Sequence, residues 1–188
     1  MRYAKIRKMD ISNGKGIGVS LFVQGCEFHC QGCFNSETWN FDGGKEFTEE
    51  TIDKIIELCK PEYIKRLSIL GGEPFHPNNI GTVAEVCGEF KRRYPNKEIW
   101  IWTGYRIEQL CKRMSDFYSG NSTTLDNAIK TMFVGGVADY IVDGRFEQDK
   151  KDLSLSYRGS SNQRILKRID DFQWKDITDS IDKHLQGE

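Results

Sequence analysis

Short apolar runs alternate with helical periods along most of the chain. The runs at Val19–Val23, Leu67–Leu70, Glu98–Trp102 and Asp139–Val142 predict four strands. Between them, apolar residues recur three and four positions apart, which is the spacing of one helix face. These apolar positions are Ile52, Ile55, Ile56 and Cys59; Ile80, Val83, Cys87 and Phe90; Ile107, Leu110, Cys111 and Met114; and a less regular set from Leu125 to Met132.

Alternation of strands and helices favours an α/β fold with parallel strands. Four clear strands are too few for a closed eight-stranded barrel, so we predict an open partial (β/α) barrel with mostly parallel strands. We expect one domain over residues 1–188, with a core of about 10–146 and a polar C-terminal extension over 147–188. Chemistry in such folds collects at the carboxyl ends of the strands.

Composition and charge narrow the possible classes of protein. The formal net charge is −1, so no overall field attracts nucleic acid or an anionic membrane, and we expect neither as a partner. No apolar run has the length of a membrane span, and the charged N-terminus does not resemble a signal peptide. We therefore expect a cytoplasmic protein whose six cysteines are reduced thiols or metal ligands.

The strongest chemical signal is the segment CEFHCQGC, which carries Cys26, Cys30 and Cys33. Thiolates suit zinc or iron–sulfur clusters. Three cysteines on a cubane cluster leave one iron open for an external ligand. Two alternatives remain: the cysteines are small buried residues, or His29 completes a zinc site. The single cysteines on helix faces, Cys59, Cys87 and Cys111, are expected to be core thiols.

This cysteine segment, together with Gly71-Gly72-Glu73-Pro74 after the second strand, resembles the radical S-adenosylmethionine (SAM) superfamily. The resemblance implies a 4Fe-4S cluster on Cys26, Cys30 and Cys33, with SAM at the open iron. It also implies the radical SAM type of partial barrel. The residues expected beside SAM are Gly32, Cys33, Phe34, Gly71, Gly72 and Glu73.

Longer blocks narrow the resemblance to the activating subunits of anaerobic (class III) ribonucleoside-triphosphate reductases. These blocks are DISNGKGIGVSLFVQGC, GCFNSETWNF, IWTGY, ADYIVDGRF and YRGSSNQRI. The resemblance implies cleavage of SAM to a 5′-deoxyadenosyl radical, which takes hydrogen from a glycine of the large reductase subunit. An external low-potential electron donor, such as a flavodoxin, is also implied. The alternatives are an activase of another glycyl radical enzyme, such as pyruvate formate-lyase, and a zinc-binding interaction module.

Several polar residues have no role fixed by their pattern. His76, Asp143 and Arg145 are open to contact with SAM or with the partner, or to a place in a solvated loop. The segment Arg158–Arg164 is our candidate for part of the partner contact. We expect a side chain introduced at Gly72 to weaken SAM binding and to leave the cluster intact, because the cluster ligands lie on another loop.

Overall fold

One open sheet of eight strands organises the described residues of the computed structural model, which are 1–118, 125–170 and 173–186. The strands are β1 (Arg2–Asp10), β2 (Ile17–Val23), β3 (Lys45–Glu46), β4 (Ile64–Gly71), β5 (Glu98–Thr103), β6 (Tyr140–Asp143), β7 (Arg164–Asp170) and β8 (Gln173–Asp176). The helices are α1 (Glu49–Cys59), α2 (Pro77–Arg93), α3 (Ile107–Tyr118), α4 (Leu125–Val137) and α5 (Thr178–Gln186). None of these helices combines the length and apolar composition that crossing a bilayer requires.

The order of the strands is β3-β1-β2-β4-β5-β6-β7-β8. The four predicted strands are the central ones, β2, β4, β5 and β6, and their three pairings are parallel. The four outer pairings are antiparallel, so the expectation of mostly parallel strands is wrong for the edges of the sheet. The physical reason is connection length, because antiparallel neighbours such as β1 and β2 need only a short loop, whereas parallel neighbours need a crossover.

The predicted helices lie in the crossovers. Thr48 caps α1 through a reciprocal pair of hydrogen bonds with Thr51, and the helix ends two residues before Pro61. Helices α1 to α4 contribute to the large core with one face of the sheet, where Ile55, Val83 and Leu110 are buried. A smaller cluster of Trp100, Val142 and Ile165 lies apart from that core, and Ile181 of α5 packs against it. The rest of this second face lines an open cavity.

The loop between β1 and β2 is held by a buried ion pair. The Arg66 side chain is fully buried in β4, and it donates hydrogen bonds to the carbonyls of Asp10, Lys15 and Gly16. Burial alone would raise the pKa of Asp10, yet hydrogen bonds from Asn13 and Ser12 and the charge of Arg66 hold that pKa below its ordinary value. The carboxylate and the guanidinium therefore fix this loop from inside.

We predict that Asp10→Asn lowers the free energy of unfolding by about 3–5 kcal/mol, because it leaves a buried guanidinium without its counter-charge. Chemical denaturation under anaerobic conditions measures this loss. As a control, Glu57→Gln removes the exposed partner of Lys60 and is expected to change stability by less than about 1 kcal/mol. If the two substitutions changed the free energy of unfolding equally, the Asp10–Arg66 pair would not be what holds this loop.

Candidate functional site

A cavity of about 500 Å³ opens on the second face of the sheet, at the carboxyl ends of β2, β4 and β5. Its apolar lining includes Phe22, Leu70 and Trp102 from these three neighbouring strands. The loops that follow the same strands supply part of the polar lining, and β1, the loop before β2 and the segment after β6 supply the rest. The site therefore lies where parallel α/β folds commonly bind ligands.

All three cysteines of the first loop line this cavity, and all three are free thiols. Burial is the main reason that the pKa of Cys26 rises to about 11, and charges on Glu73, Cys30 and Cys33 act in the same direction. Burial likewise raises the pKa of Cys30, and Cys33 adds to the effect. Ionising all three thiols would therefore bring like charges together. A metal centre that binds them as thiolates removes this electrostatic cost.

Three thiols on one loop are a donor set that iron–sulfur clusters use. Among the described residues, no group of three His, Cys, Asp or Glu side chains is arranged so that it could hold a single metal ion. The thiols of a cubane bind different irons, so they need not meet at one point. The ring of His29 packs against Trp39, with 4.9 Å between centroids, and His29 does not line the cavity. This contact gives no support to a zinc site completed by His29.

Gly25 starts the cysteine loop in a conformation that glycine favours. Its φ is +97°, and a side chain there would run into the ring of Phe41. The Gly25 amide donates a hydrogen bond to the carbonyl of Thr38, and the Cys26 amide donates to the carbonyl of Trp39. These bonds close the loop back on itself and direct the three cysteines to the cavity.

The Gly71–Pro74 turn packs directly on the start of the cysteine loop. The Gly72 amide donates to the carbonyl of Val23 at 2.8 Å, and the Glu73 amide donates to the carbonyl of Gly25 at 2.8 Å. A Cβ on Gly72 would lie 2.5 Å from the Gly25 oxygen. The two loops are therefore one unit. The reason for expecting the cluster to survive a side chain at Gly72, namely that its ligands lie on a separate loop, does not hold in this structure, and we instead expect such a change to disturb the cysteine loop.

The Glu73 carboxylate is buried and engaged within the chain. It accepts hydrogen bonds from the amides of Phe75 and Gly104 and from the Thr103 hydroxyl, each between 2.8 and 2.9 Å. Burial raises the pKa of Glu73 to about 7, although these three donors oppose the rise. Glu73 thus ties the turn after β4 to the turn after β5.

Asn79 is a residue of the site's framework that the sequence pattern did not identify. Its buried side-chain amide donates to the carbonyls of Gln24 and Glu73, at 3.0 and 2.9 Å. One side chain from α2 therefore holds both loops. Its neighbour His76 caps the same helix by accepting from the Asn78 amide, and His76 does not line the cavity.

The remaining predicted SAM neighbours divide into two groups. Phe34 lines the cavity, is half exposed, and packs on Phe146 with 5.2 Å between ring centroids. Gly32 does not line the cavity, and the side chain of Gln148 fills the space where its Cβ would lie. Gly32 therefore belongs to the outer flank of the loop, while the other five residues surround the cavity.

Two arginine side chains, Arg145 and Arg158, also line the cavity. The Arg145 guanidinium lies over the Phe28 ring, 4.4 Å from its centroid, and its charge lowers the pKa of Cys30 against the dominant effect of burial. Arg158 lines the cavity, but it is 96% buried and pairs through both terminal nitrogens with Asp182 of α5. The C-terminal helix thus holds one wall of the cavity.

Asp143 and Arg164 have structural partners. The buried Asp143 carboxylate accepts from Arg106, from the Ile107 amide at the start of α3, and from Arg164. Arg164 also forms two hydrogen bonds with Glu108. Both arginines of the segment predicted to contact a partner are therefore engaged within the chain.

Comparisons with known proteins agree with this site. Residues 12–166 match a family model described as a 4Fe-4S single cluster domain. Three relatives are named anaerobic ribonucleoside-triphosphate reductase-activating protein. The relative from Salmonella typhi is 39% identical over 167 residues, which are 88% of this chain and 97% of the relative. The relative from Escherichia coli strain K12 is 38% identical over the same shares, and that from Enterobacteria phage T4 is 34% identical over 93% of this chain and 99% of its own.

This chain belongs to the anaerobic ribonucleoside-triphosphate reductase-activating proteins. The family resemblance noted in the sequence is confirmed. The match to the cluster domain supports an iron–sulfur cluster in this activating protein, and the three free thiols of one loop, together on one cavity, fit such a cluster.

We predict that Gly72→Ala lowers both stability and iron content, because the added methyl group displaces the backbone of the cysteine loop. Gly135→Ala is the matched control, since a Cβ there meets nothing within 4 Å, and in α4 it is expected to add about 0.5–1 kcal/mol of stability. Iron and sulfide per chain after anaerobic reconstitution, with denaturation midpoints, measure both effects. Full iron loading in Gly72→Ala would contradict the coupling of the two loops.

Proposed function

We propose that this activating protein cleaves SAM reductively at a 4Fe-4S cluster and generates a glycyl radical on the large subunit of anaerobic ribonucleotide reductase. The observation that carries the proposal is that three free thiols of one loop and the Gly71–Pro74 turn line the same cavity. In this proposal the open sheet is a partial barrel of the radical SAM type. The names of the relatives support the reductase as the partner.

Cys26, Cys30 and Cys33 are the proposed ligands of three irons, with the fourth iron left for SAM. The cluster, once bound and reduced by an external low-potential donor such as a flavodoxin, supplies the electron that splits SAM into methionine and a 5′-deoxyadenosyl radical. That radical takes a hydrogen atom from the target glycine, which leaves 5′-deoxyadenosine and the glycyl radical.

The chain's own residues orient SAM. Gly71 and Gly72 bring bare backbone to the cavity beside the cysteines, where the methionine end of SAM would lie against it. Glu73 acts through the loops that it ties together, because its carboxylate already accepts from three donors. Phe34 supplies an apolar surface beside Cys33.

The cavity is open to solvent, and a primary carbon radical reacts with almost any neighbouring C–H bond. A partner that covers the cavity before SAM is cleaved would exclude water and supply the target glycine in one step. We therefore propose that binding of the reductase subunit precedes productive cleavage.

The ligand assignment predicts that Cys26→Ser, Cys30→Ser or Cys33→Ser abolishes a stable four-iron cluster, because a hydroxyl oxygen is a poor substitute for thiolate. Cys59→Ala is the control: this thiol is buried between elements of the core, so only packing is lost, about 1–2 kcal/mol. Iron and sulfide analysis with the visible absorption spectrum measures the difference. A Cys30→Ser variant that loads fully would overturn the assignment, and one bound zinc with no sulfide would favour the interaction module.

The proposed reaction predicts slow cleavage of SAM by the reduced protein alone and faster cleavage with the anaerobic reductase subunit present. A persistent EPR doublet should then arise on the partner from the α-hydrogen of its glycyl radical. Pyruvate formate-lyase is the comparison partner and should give no doublet. If SAM is cleaved to 5′-deoxyadenosine while the reductase stays unmodified, the assigned substrate is wrong and another glycyl radical enzyme is the better candidate.

A further inference from the structure

Two large apolar side chains, two positions apart in the chain, are exposed at the end of the β1–β2 hairpin. Met9 is 58% exposed and Ile11 is 72% exposed. They belong to the segment of residues 8–16, which we call the hairpin tip. Single exposed apolar side chains are common on protein surfaces, so the position of these two beside the cavity, and not their exposure alone, makes this surface a candidate for contact with another molecule.

The hairpin tip is rigid because it is fixed from inside. Arg66 holds three of its carbonyl groups, and the Asp10 carboxylate accepts from the amides of Ser12 and Asn13. The pairing of β1 with β2 shifts register just before Asp10, and Met9 within this bulge has a φ of +50°. Strained residues of this kind persist where the surrounding structure determines them, often at functional surfaces. A rigid apolar surface also loses little conformational freedom on binding.

The hairpin tip forms one rim of the cavity. Ser12 and Asn13 of the tip line the cavity together with the cysteines, as does Arg7 just before it. Met9 and Ile11 lie outside the cavity lining, so they would not contact a small molecule bound within the cavity. A polypeptide that inserts one residue into the cavity would pass over this rim.

The charge of the hairpin tip defines the partner further. Lys8 and Lys15 are exposed, whereas Asp10, the one carboxylate among residues 7–16, is buried and already paired with both Arg7 and Arg66. The tip therefore presents two apolar side chains among positive charges. The complementary surface combines apolar residues with carboxylates.

We infer that the hairpin tip docks the polypeptide that carries the target glycine, through a segment of that polypeptide that combines apolar and acidic side chains. The inference rests on the proposed function, and it adds the surface that recognises the protein substrate. It also moves the partner contact away from Arg158 and Arg164, whose charges are satisfied within the chain.

The test is a double variant, Met9→Ser with Ile11→Ser, in the reconstituted holoprotein. Its dissociation constant for the reductase subunit, measured anaerobically, should rise about tenfold or more, and the glycyl doublet should fall when the reductase is limiting. Cluster content and SAM cleavage without the partner should stay at wild-type levels. The control is Ile129→Ser, because this residue of α4 is 53% exposed and does not line the cavity.

A second variant, Lys8→Glu with Lys15→Glu, tests whether the positive charge of the hairpin tip contributes to binding the reductase. It also tests the docking role of the tip if the first variant loses its cluster. Its affinity should fall, and the deficit should shrink at high salt as screening weakens the repulsion. Wild-type affinity and doublet yield in both variants would overturn the inference while leaving the proposed function intact. The inference would also be overturned if, without the reductase, either variant sedimented as a smaller species than the wild-type protein. That result would assign the hairpin tip to contact with a second copy of this chain. Absence of the doublet with wild-type protein would instead overturn the proposed function.

Discussion

The hydrogen bond from the Glu73 amide to the Gly25 carbonyl joins the two loops on which the site depends. One loop carries the three cysteines, and the other brings glycine backbone to the same cavity. Because a Cβ on Gly72 would overlap the Gly25 oxygen, the contact is as close as two backbones allow. Asn79 from α2 and the Glu73 carboxylate, which reaches the Gly104 amide, extend the same unit to the next strand.

Buried polar side chains hold the loops around the cavity. Asn79 and Asp143 are buried outside its lining and bind backbone groups and arginine, whereas Glu73 lines the cavity and accepts from two amides and the Thr103 hydroxyl. The lining also includes the three thiols, aromatic rings, glycine backbone and cations. A polar framework that is already engaged within the chain suits a protein whose bound cofactors carry the difficult chemistry.

The sequence predicted the central strands and both site loops, because each depends on local pattern. Residues such as Val19 and Leu67 are apolar in a continuous run since β2 and β4 are buried on both faces. The strands β1 and β7 escaped prediction because many of their side chains face solvent and carry charge, and β7 lies in what the pattern indicated was a polar extension.

The sequence pattern also could not predict side-chain roles that depend on contacts between distant segments. Arg66 reaches the Asp10 carbonyl across 56 positions, and Asn79 reaches Gln24 across 55. Neither residue belongs to a motif, and each lies among other polar residues of its element, so its burial could not be read from the pattern. Arg164, in the segment predicted to contact the partner, pairs with Asp143, a contact that only the fold brings within reach.

The link between Arg158 and Asp182 has a consequence for biosynthesis. The two residues stand 24 positions apart, and the Arg158 guanidinium pairs with Asp182 only after α5 has been translated and has folded back. Arg158 lines the cavity, so this part of its wall depends on a helix near the end of the described chain. A complete cavity around the three cysteines is therefore a property of a chain that includes α5, and not of a shorter nascent chain.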